Sequence, residues 1–205
     1  MQKKDIYLAT VIGFIFGVLL LLPMKNIGLS VTPKLVFLSV FGFAVFAPLA
    51  LFVLYIASRF IPALYQFGKF AAVGALNTLI DLGVLNFLII LTDVSTGVYY
   101  SFFKAVSFLA AVGNSYFWNK FWTFESKAGA QGKEFVSFVT VSFIGVLINT
   151  AIVYLGAGLA NSIPDVSAGG WINLVKILAT VVSLVWNFLG YKFFVFKKPN
   201  LPMKV

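Results

Sequence analysis

The chain has 205 residues, of which 61% are hydrophobic and 10% charged, with a mean hydropathy of +1.01. Soluble domains average about 45–50% apolar and about 25% charged, and one soluble core of this size cannot hide so much apolar surface. Fifteen Lys and Arg against six Asp and Glu give a net charge of +9; because the lysines punctuate apolar runs instead of forming a patch, a nucleic-acid binder and a soluble enzyme are excluded and a membrane protein is indicated.

A membrane-spanning helix needs about 20 mostly apolar residues. The first run, Ile6–Met24, is uncharged and follows Lys3 and Lys4, as a signal peptide would. It leads into Leu21-Leu22-Pro23-Met24-Lys25 instead of a small-residue cleavage site, so it reads as a retained helix. Its Gly13 and Gly17 fit a close helix contact. Leu35–Ser58 follows, also uncharged. Phe70–Leu91 is interrupted by Asp81, and Val98–Asn119 carries Lys104. Phe135–Ala160 is uncharged, and Trp171–Tyr191 carries Lys176. The expected fold is all-α and polytopic, with six transmembrane helices.

Eleven basic residues fall on one side: Lys3, Lys4, Arg59, Lys69, Lys120 and Lys127 up to the middle of the chain, then Lys133, Lys192, Lys197, Lys198 and Lys204. Lys25, Lys34, Lys104 and Lys176 fall on the other. The positive-inside rule therefore predicts that both termini face the cytoplasm. Phe121, Trp122 and Phe124, with Phe193, Phe194 and Phe196, are expected in the cytoplasmic aromatic belt.

Residues 67–124 resemble residues 135–196. Phe67-Gly-Lys-Phe70 matches Phe135-Val-Ser-Phe138, and Leu79-Ile80-Asp81 matches Leu147-Ile148-Asn149, with a shift of 68. The shift becomes 72 later, where Lys104 matches Lys176 and Lys120-Phe-Trp-Thr-Phe124 matches Lys192-Phe-Phe-Val-Phe196. The extra residues fall in Asp165-Val-Ser-Ala-Gly-Gly170. Two hairpins that begin and end on the same side are parallel repeats, related by an axis along the membrane normal. This divides the chain into an additional N-terminal hairpin, 1–66, and a four-helix domain, 67–198.

Chemistry-bearing residues are few. There is no Cys and no His, hence no disulfide, thiolate, Cys/His metal site or imidazole base. Six acidic residues are few for a carboxylate site, so no cofactor or metal is expected, and binding and translocation are favoured over catalysis. Asp81 sits midway along its span, where an ionised carboxylate costs about 2.5–3.5 kcal/mol, so it should face protein or a wet cavity. Gly74, Asn77, Thr78 and Asp81 share one helical face, and Ser142, Gly145 and Asn149 share the matching one. The partner spans carry Lys104, Ser107, Asn114 and Ser115, and Lys176, Thr180, Ser183 and Asn187. Two lysines at equivalent depth, Lys104 and Lys176, could grip an anionic headgroup as point charges. Snorkelling lysines and interhelical glue are the structural alternatives, with Asn149 or Asn187 as bonding partners of Asp81.

Phe70-Ala-Ala-Val-Gly74-Ala-Leu-Asn77-Thr78-Leu-Ile-Asp81, followed by Phe117-Trp-Asn119-Lys120-Phe-Trp122-Thr123-Phe124, resembles the GtrA-like family of small membrane proteins. The resemblance covers about residues 67–196. Lys120 stands where Arg is usual, Gly190-Tyr191-Lys192 where Asn-Arg is expected, and the first two spans are additional to the usual four. The resemblance implies movement of a polyprenyl-phosphate-linked monosaccharide between leaflets of a prokaryotic cytoplasmic membrane, for cell-envelope glycan synthesis, beside a membrane glycosyltransferase. On that reading Asp81, Asn77 and Asn149 contact sugar hydroxyls, with Asn114 and Asn187 close by. Lys104 and Lys176 receive the phosphate at the outer leaflet, and Lys120 and Lys192 recruit it at the inner one. Membrane lipids are the other expected partners, nucleic acid is not one, and self-association stays open. The competing readings are a proton-coupled small-multidrug exporter with Asp81 as proton acceptor, and a non-transporting scaffold for a glycosyltransferase.

Overall fold

Helix runs through every long apolar stretch, because a backbone in lipid must satisfy its own hydrogen bonds. The computed structural model describes residues 1–26, 28–126, 132–159 and 168–197. Lys127, Lys198 and Lys204 of the charge tally, and Asp165, Val166 and Ser167 of the longer loop, lie outside the described residues. The α-helices are α1 (Lys3–Asn26), α2 (Pro33–Ala57), α3 (Ala63–Thr92), α4 (Gly97–Trp118), α5 (Gly132–Ala157) and α6 (Ala168–Gly190). Two five-residue π-helices follow directly, Asn119–Thr123 after α4 and Tyr191–Val195 after α6. The chain is an all-helical polytopic membrane protein.

Five of the six helices are long and apolar enough to cross a membrane by themselves. The exception is α4, whose 22 residues suffice in length. Lys104, three serines, Asn114 and three tyrosines dilute its apolar character. Such a helix needs a partner for its polar face, and α3 supplies it.

The chain forms two compact units, Met1–Glu125 and 126–205. In the first, α1 and α2 make a tight hairpin, α3 packs on both, and α4 packs on α3. Thr32 caps α2, its Oγ1 accepting the Leu35 N–H at 3.2 Å, with Pro33 at the first helical position. Asp93, in the left-handed conformation (φ +55°), stops α3, its N–H donating to the Ile89 carbonyl at 2.8 Å. Ala9, Ile12, Leu51, Val73, Leu76 and Trp122 form the buried centre.

Gly13 and Gly17 are contact glycines. A Cβ on Gly13 would overlap the Phe43 carbonyl, and one on Gly17 would lie 2.7 Å from Val40 Cα. The close approach also lets Ser39 Oγ donate to the Gly17 carbonyl at 2.7 Å. Gly17→Ala is therefore expected to destabilise the detergent-solubilised protein by about 1–3 kcal/mol, read as a lower melting temperature. A Gly42→Ala control, whose added Cβ meets nothing within 4 Å, should melt like the parent.

In the second unit α5 and α6 interlock through small residues. Gly145 admits the Asn187 amide, Gly156 admits Val175 and Gly190 admits Val141. Trp171 Nε1 donates to the Gly156 carbonyl at 2.7 Å and Trp186 Nε1 to that of Val141 at 3.1 Å. Phe138 and Tyr191 stack at 4.5 Å.

Both units end their last helix alike. The Phe124 N–H donates to the Asn119 carbonyl and the Phe196 N–H to the Tyr191 carbonyl, each at 2.8 Å. These are i→i+5 bonds, displaced by 72 residues. A π-turn inserts an extra residue and re-aims the side chains that follow, which a strict 3.6-residue period cannot anticipate.

Candidate functional site

The facing surfaces of α3 and α4 carry a ladder of polar contacts. Asp81, on α3, accepts a hydrogen bond from Lys104 Nζ on its Oδ2, and one from Ser107 Oγ on its Oδ1 at 2.6 Å. One helical turn earlier on α3, Asn77 Oδ1 accepts from Asn114 Nδ2 at 2.6 Å. The spacing explains the geometry, since Asn77 and Asp81 stand at i and i+4, and Lys104 and Ser107 at i and i+3. Lys104 and Asn114 are ten residues apart, about 15 Å along the helix, or half of a ~30 Å hydrocarbon core.

The ion pair is open to its surroundings. The Lys104 side chain is 47% exposed and that of Asp81 23%. Ionisable residues within a span almost always face protein or a water-filled cavity, pair with one another, and mark a functional path. Lys104 was expected as a headgroup lysine and Asp81 as a contact for sugar hydroxyls, with a bond to Asn149 or Asn187 as the structural alternative; the structure pairs Asp81 with Lys104. Thr78, from the same predicted face, is exposed and bonds back to the Gly74 carbonyl at 3.2 Å.

The second hairpin places the matching residues differently. Asn149 stands where the first copy has Asp81, and its Nδ2 donates to Ser183 Oγ at 3.3 Å. With no carboxylate at that position, Lys176 is exposed and has no polar partner among the described residues. Asn187 presses on Gly145, and its Oδ1 is buried with no hydrogen-bond donor among the described residues. Ser142 shares a 2.6 Å hydrogen bond with the Tyr191 hydroxyl. Lys104 and Lys176, equivalent in sequence, thus differ: Lys104 is ion-paired, and Lys176 has no polar partner among the described residues.

The two lysines expected to recruit phosphate at the inner face are also unlike. Lys192 is half-buried, over the rings of Phe188 and Phe193 at 5.6 and 5.7 Å. Lys120 is 1% exposed. Its Nζ donates to the Tyr116 hydroxyl at 3.3 Å and lies 5.5 Å from that ring and 5.9 Å from that of Phe121. The π-turn directs Lys120 inward, so it does not meet a headgroup at the surface of this structure.

A further cluster escaped the sequence reading. Asp5, in the first turn of α1, is 1% exposed and accepts three side-chain donors. Lys69 Nζ lies 2.7 Å from Oδ1, Trp122 Nε1 donates to Oδ1 at 2.8 Å, and the Tyr65 hydroxyl donates to Oδ2 at 2.7 Å. The Lys69 ammonium also sits 4.8 Å from the Tyr65 ring centre. Lys69, counted among the basic residues of the cytoplasmic side, is buried in this cluster. The aromatic belt divides likewise: Phe121, Phe193 and Phe194 are exposed, whereas Trp122, Phe124 and Phe196 are buried. The one sequence signal was an acidic residue directly before an apolar run, which reads as an ordinary helix flank.

Comparison with known proteins supports a family assignment. The chain is 35% identical over 131 residues, 63% of this chain and 78% of the relative, to an uncharacterized membrane protein, YngA, of Bacillus subtilis (strain 168). No solved structure matches. The GtrA/DPMS transmembrane domain matches residues 69–196, from the lysine that pairs with Asp5 to the residue that closes the second π-turn. With more than half of its residues in that match, the chain belongs to the GtrA/DPMS transmembrane-domain family.

Proposed function

We propose that this protein moves a polyprenyl-phosphate-linked monosaccharide across the cytoplasmic membrane of a prokaryote, for cell-envelope glycan synthesis, without making or breaking covalent bonds. The observation that carries the reading is the polar ladder of Asn77–Asn114 and Asp81–Lys104–Ser107, in which Lys104 is exposed. The cargo has a charged, hydroxyl-rich head and a hydrocarbon tail. It needs a path on which the head trades water for protein hydrogen bonds while the tail stays in lipid. Amides and hydroxyls serve the sugar, and Lys104 serves the phosphate once the anion displaces the Asp81 carboxylate. The exposed Lys176 and the amides of Asn149 and Asn187 offer the same chemistry on the second hairpin.

The proton-coupled exporter is less well served. Its proton acceptor would be Asp81, which already holds an ammonium and a hydroxyl. Native mass spectrometry of the protein, gently extracted from its membrane, is expected to show a bound mass equal to a polyprenyl phosphate plus one sugar. Spectra holding only bulk phospholipid, from cells that make such a glycolipid, would count against the reading.

A further inference from the structure

In the first unit, a recess opens at the end where α1 begins and α4 passes into its π-helix. Lys4, Asn114, Phe117, Trp118, Phe121 and Trp122 line it, around a cavity of about 390 Å³. That volume lies within the ~300–1,000 Å³ of small-molecule sites. The Phe117 and Phe121 rings are nearly parallel, 12° apart with centres at 6.2 Å, and both are more than half exposed. Trp118 meets Trp122 edge-on at 5.8 Å. Lys4 is exposed, and its ammonium makes one long contact, 3.5 Å, with the Phe121 carbonyl, leaving donors to spare. Asn114 spends its Nδ2 on Asn77, and its carbonyl oxygen has no partner among the described residues.

Aromatic faces, an amide carbonyl and an ammonium in one recess match a sugar phosphate. The C–H face of a pyranose packs on aromatic rings, a hydroxyl donates to the amide, and the phosphate meets the lysine as a point charge. A glycerol or ethanolamine headgroup can use the lysine and the amide but presents no pyranose face to the rings. We propose that this recess is the loading site for the monosaccharide-phosphate headgroup, with the phosphate on Lys4 and the sugar against Phe117, Trp118 and Asn114. The inference rests on the translocation reading above and goes beyond it in one respect. Lys4 lies outside residues 69–196 of the family domain, so the additional hairpin completes a substrate site. Asn114 belongs to both the recess and the Asn77 rung, which makes the recess the first step of the ladder. Both chain features at this end, the start of α1 and the residues after α4, fall on the side that the lysine tally assigns to the cytoplasm.

The test places a photo-crosslinking phenylalanine analogue at Phe117 of the full chain in phospholipid nanodiscs, with polyprenyl-phosphate glucose as probe and adducts read by mass. The expected result is a glycolipid adduct, suppressed by unlabelled glycolipid and reduced at least about fivefold by Lys4→Ala or Asn114→Ala. Competition by free glucose 1-phosphate would show that the headgroup alone is recognised, in support of the site. Equal competition by phosphatidylglycerol, or adducts unchanged in both variants, would overturn it by marking an ordinary lipid contact. No adduct from a protein that still moves the glycolipid would overturn the loading site and leave the translocation reading standing. No adduct from the chain that carries the analogue, together with no movement of the glycolipid by the parent chain, would remove the two together.

Discussion

Asp5→Ala is expected to cost about 3–5 kcal/mol of stability, the penalty for leaving a buried charge without its partner. The substitution strands the Lys69 ammonium, whose side chain is 6% exposed, together with the Tyr65 hydroxyl and the Trp122 indole N–H. Glu125, 3.8 Å from Lys69 and half exposed, is too distant and too hydrated to replace a 2.7 Å contact. The three donors come from the start of α3 and from the first π-helix, so the loss detaches the additional hairpin from the family domain. A fall in melting temperature on the order of 10 °C in detergent is the expected reading. The double variant Asp5→Leu with Lys69→Met should recover most of it, because a buried pair replaced by apolar groups is often neutral. If Asp5→Ala melts like the parent, the cluster contributes nothing to holding the unit together.

Lys104→Ala is expected to slow translocation by about 10- to 100-fold, the worth of one charge-assisted hydrogen bond at about 1.5–3 kcal/mol. It leaves Asp81 as a carboxylate at membrane depth, repelling the phosphate that the lysine would have received. Asp81→Asn keeps the shape and the acceptor and removes the competitor for Lys104, so its defect should be smaller. The double variant Asp81→Asn with Lys104→Met removes both charges, which should preserve insertion and folding while transport stays lost. That pattern separates a transport role from interhelical glue. Glue predicts recovery of activity together with recovery of stability.

The helices and the polar positions inside them were legible in the sequence because lipid imposes one rule on every apolar run. Asp81 and Lys104 stood out for the same reason, and the four residues between α3 and α4 bring them face to face. What the spacing could not show was that each would satisfy the other, since a carboxylate and a lysine at membrane depth also read as two separate ligands. Asp5 was illegible on different grounds. Its partners lie 60, 64 and 117 residues away, and at the mouth of a helix an Asp carries no mark of burial. Trp122 and Lys120 were assigned by side of the membrane, from charge and aromatic character, which carries no information on burial; both are 1% exposed. Gly13 and Gly17, a common pair in glycine-rich spans, turned out to sit on the α2 backbone.

Translocation is tested most directly with the purified protein in sealed vesicles carrying a fluorescent polyprenyl-phosphate hexose in both leaflets. A membrane-impermeant quencher reads how much of the inner pool reaches the outside. With the protein present, the inner pool should become accessible with time and faster as protein per vesicle rises, and Lys104→Ala should slow this about 10-fold or more. An inner pool as protected in protein-containing vesicles as in empty ones, with the protein folded and inserted, would contradict it.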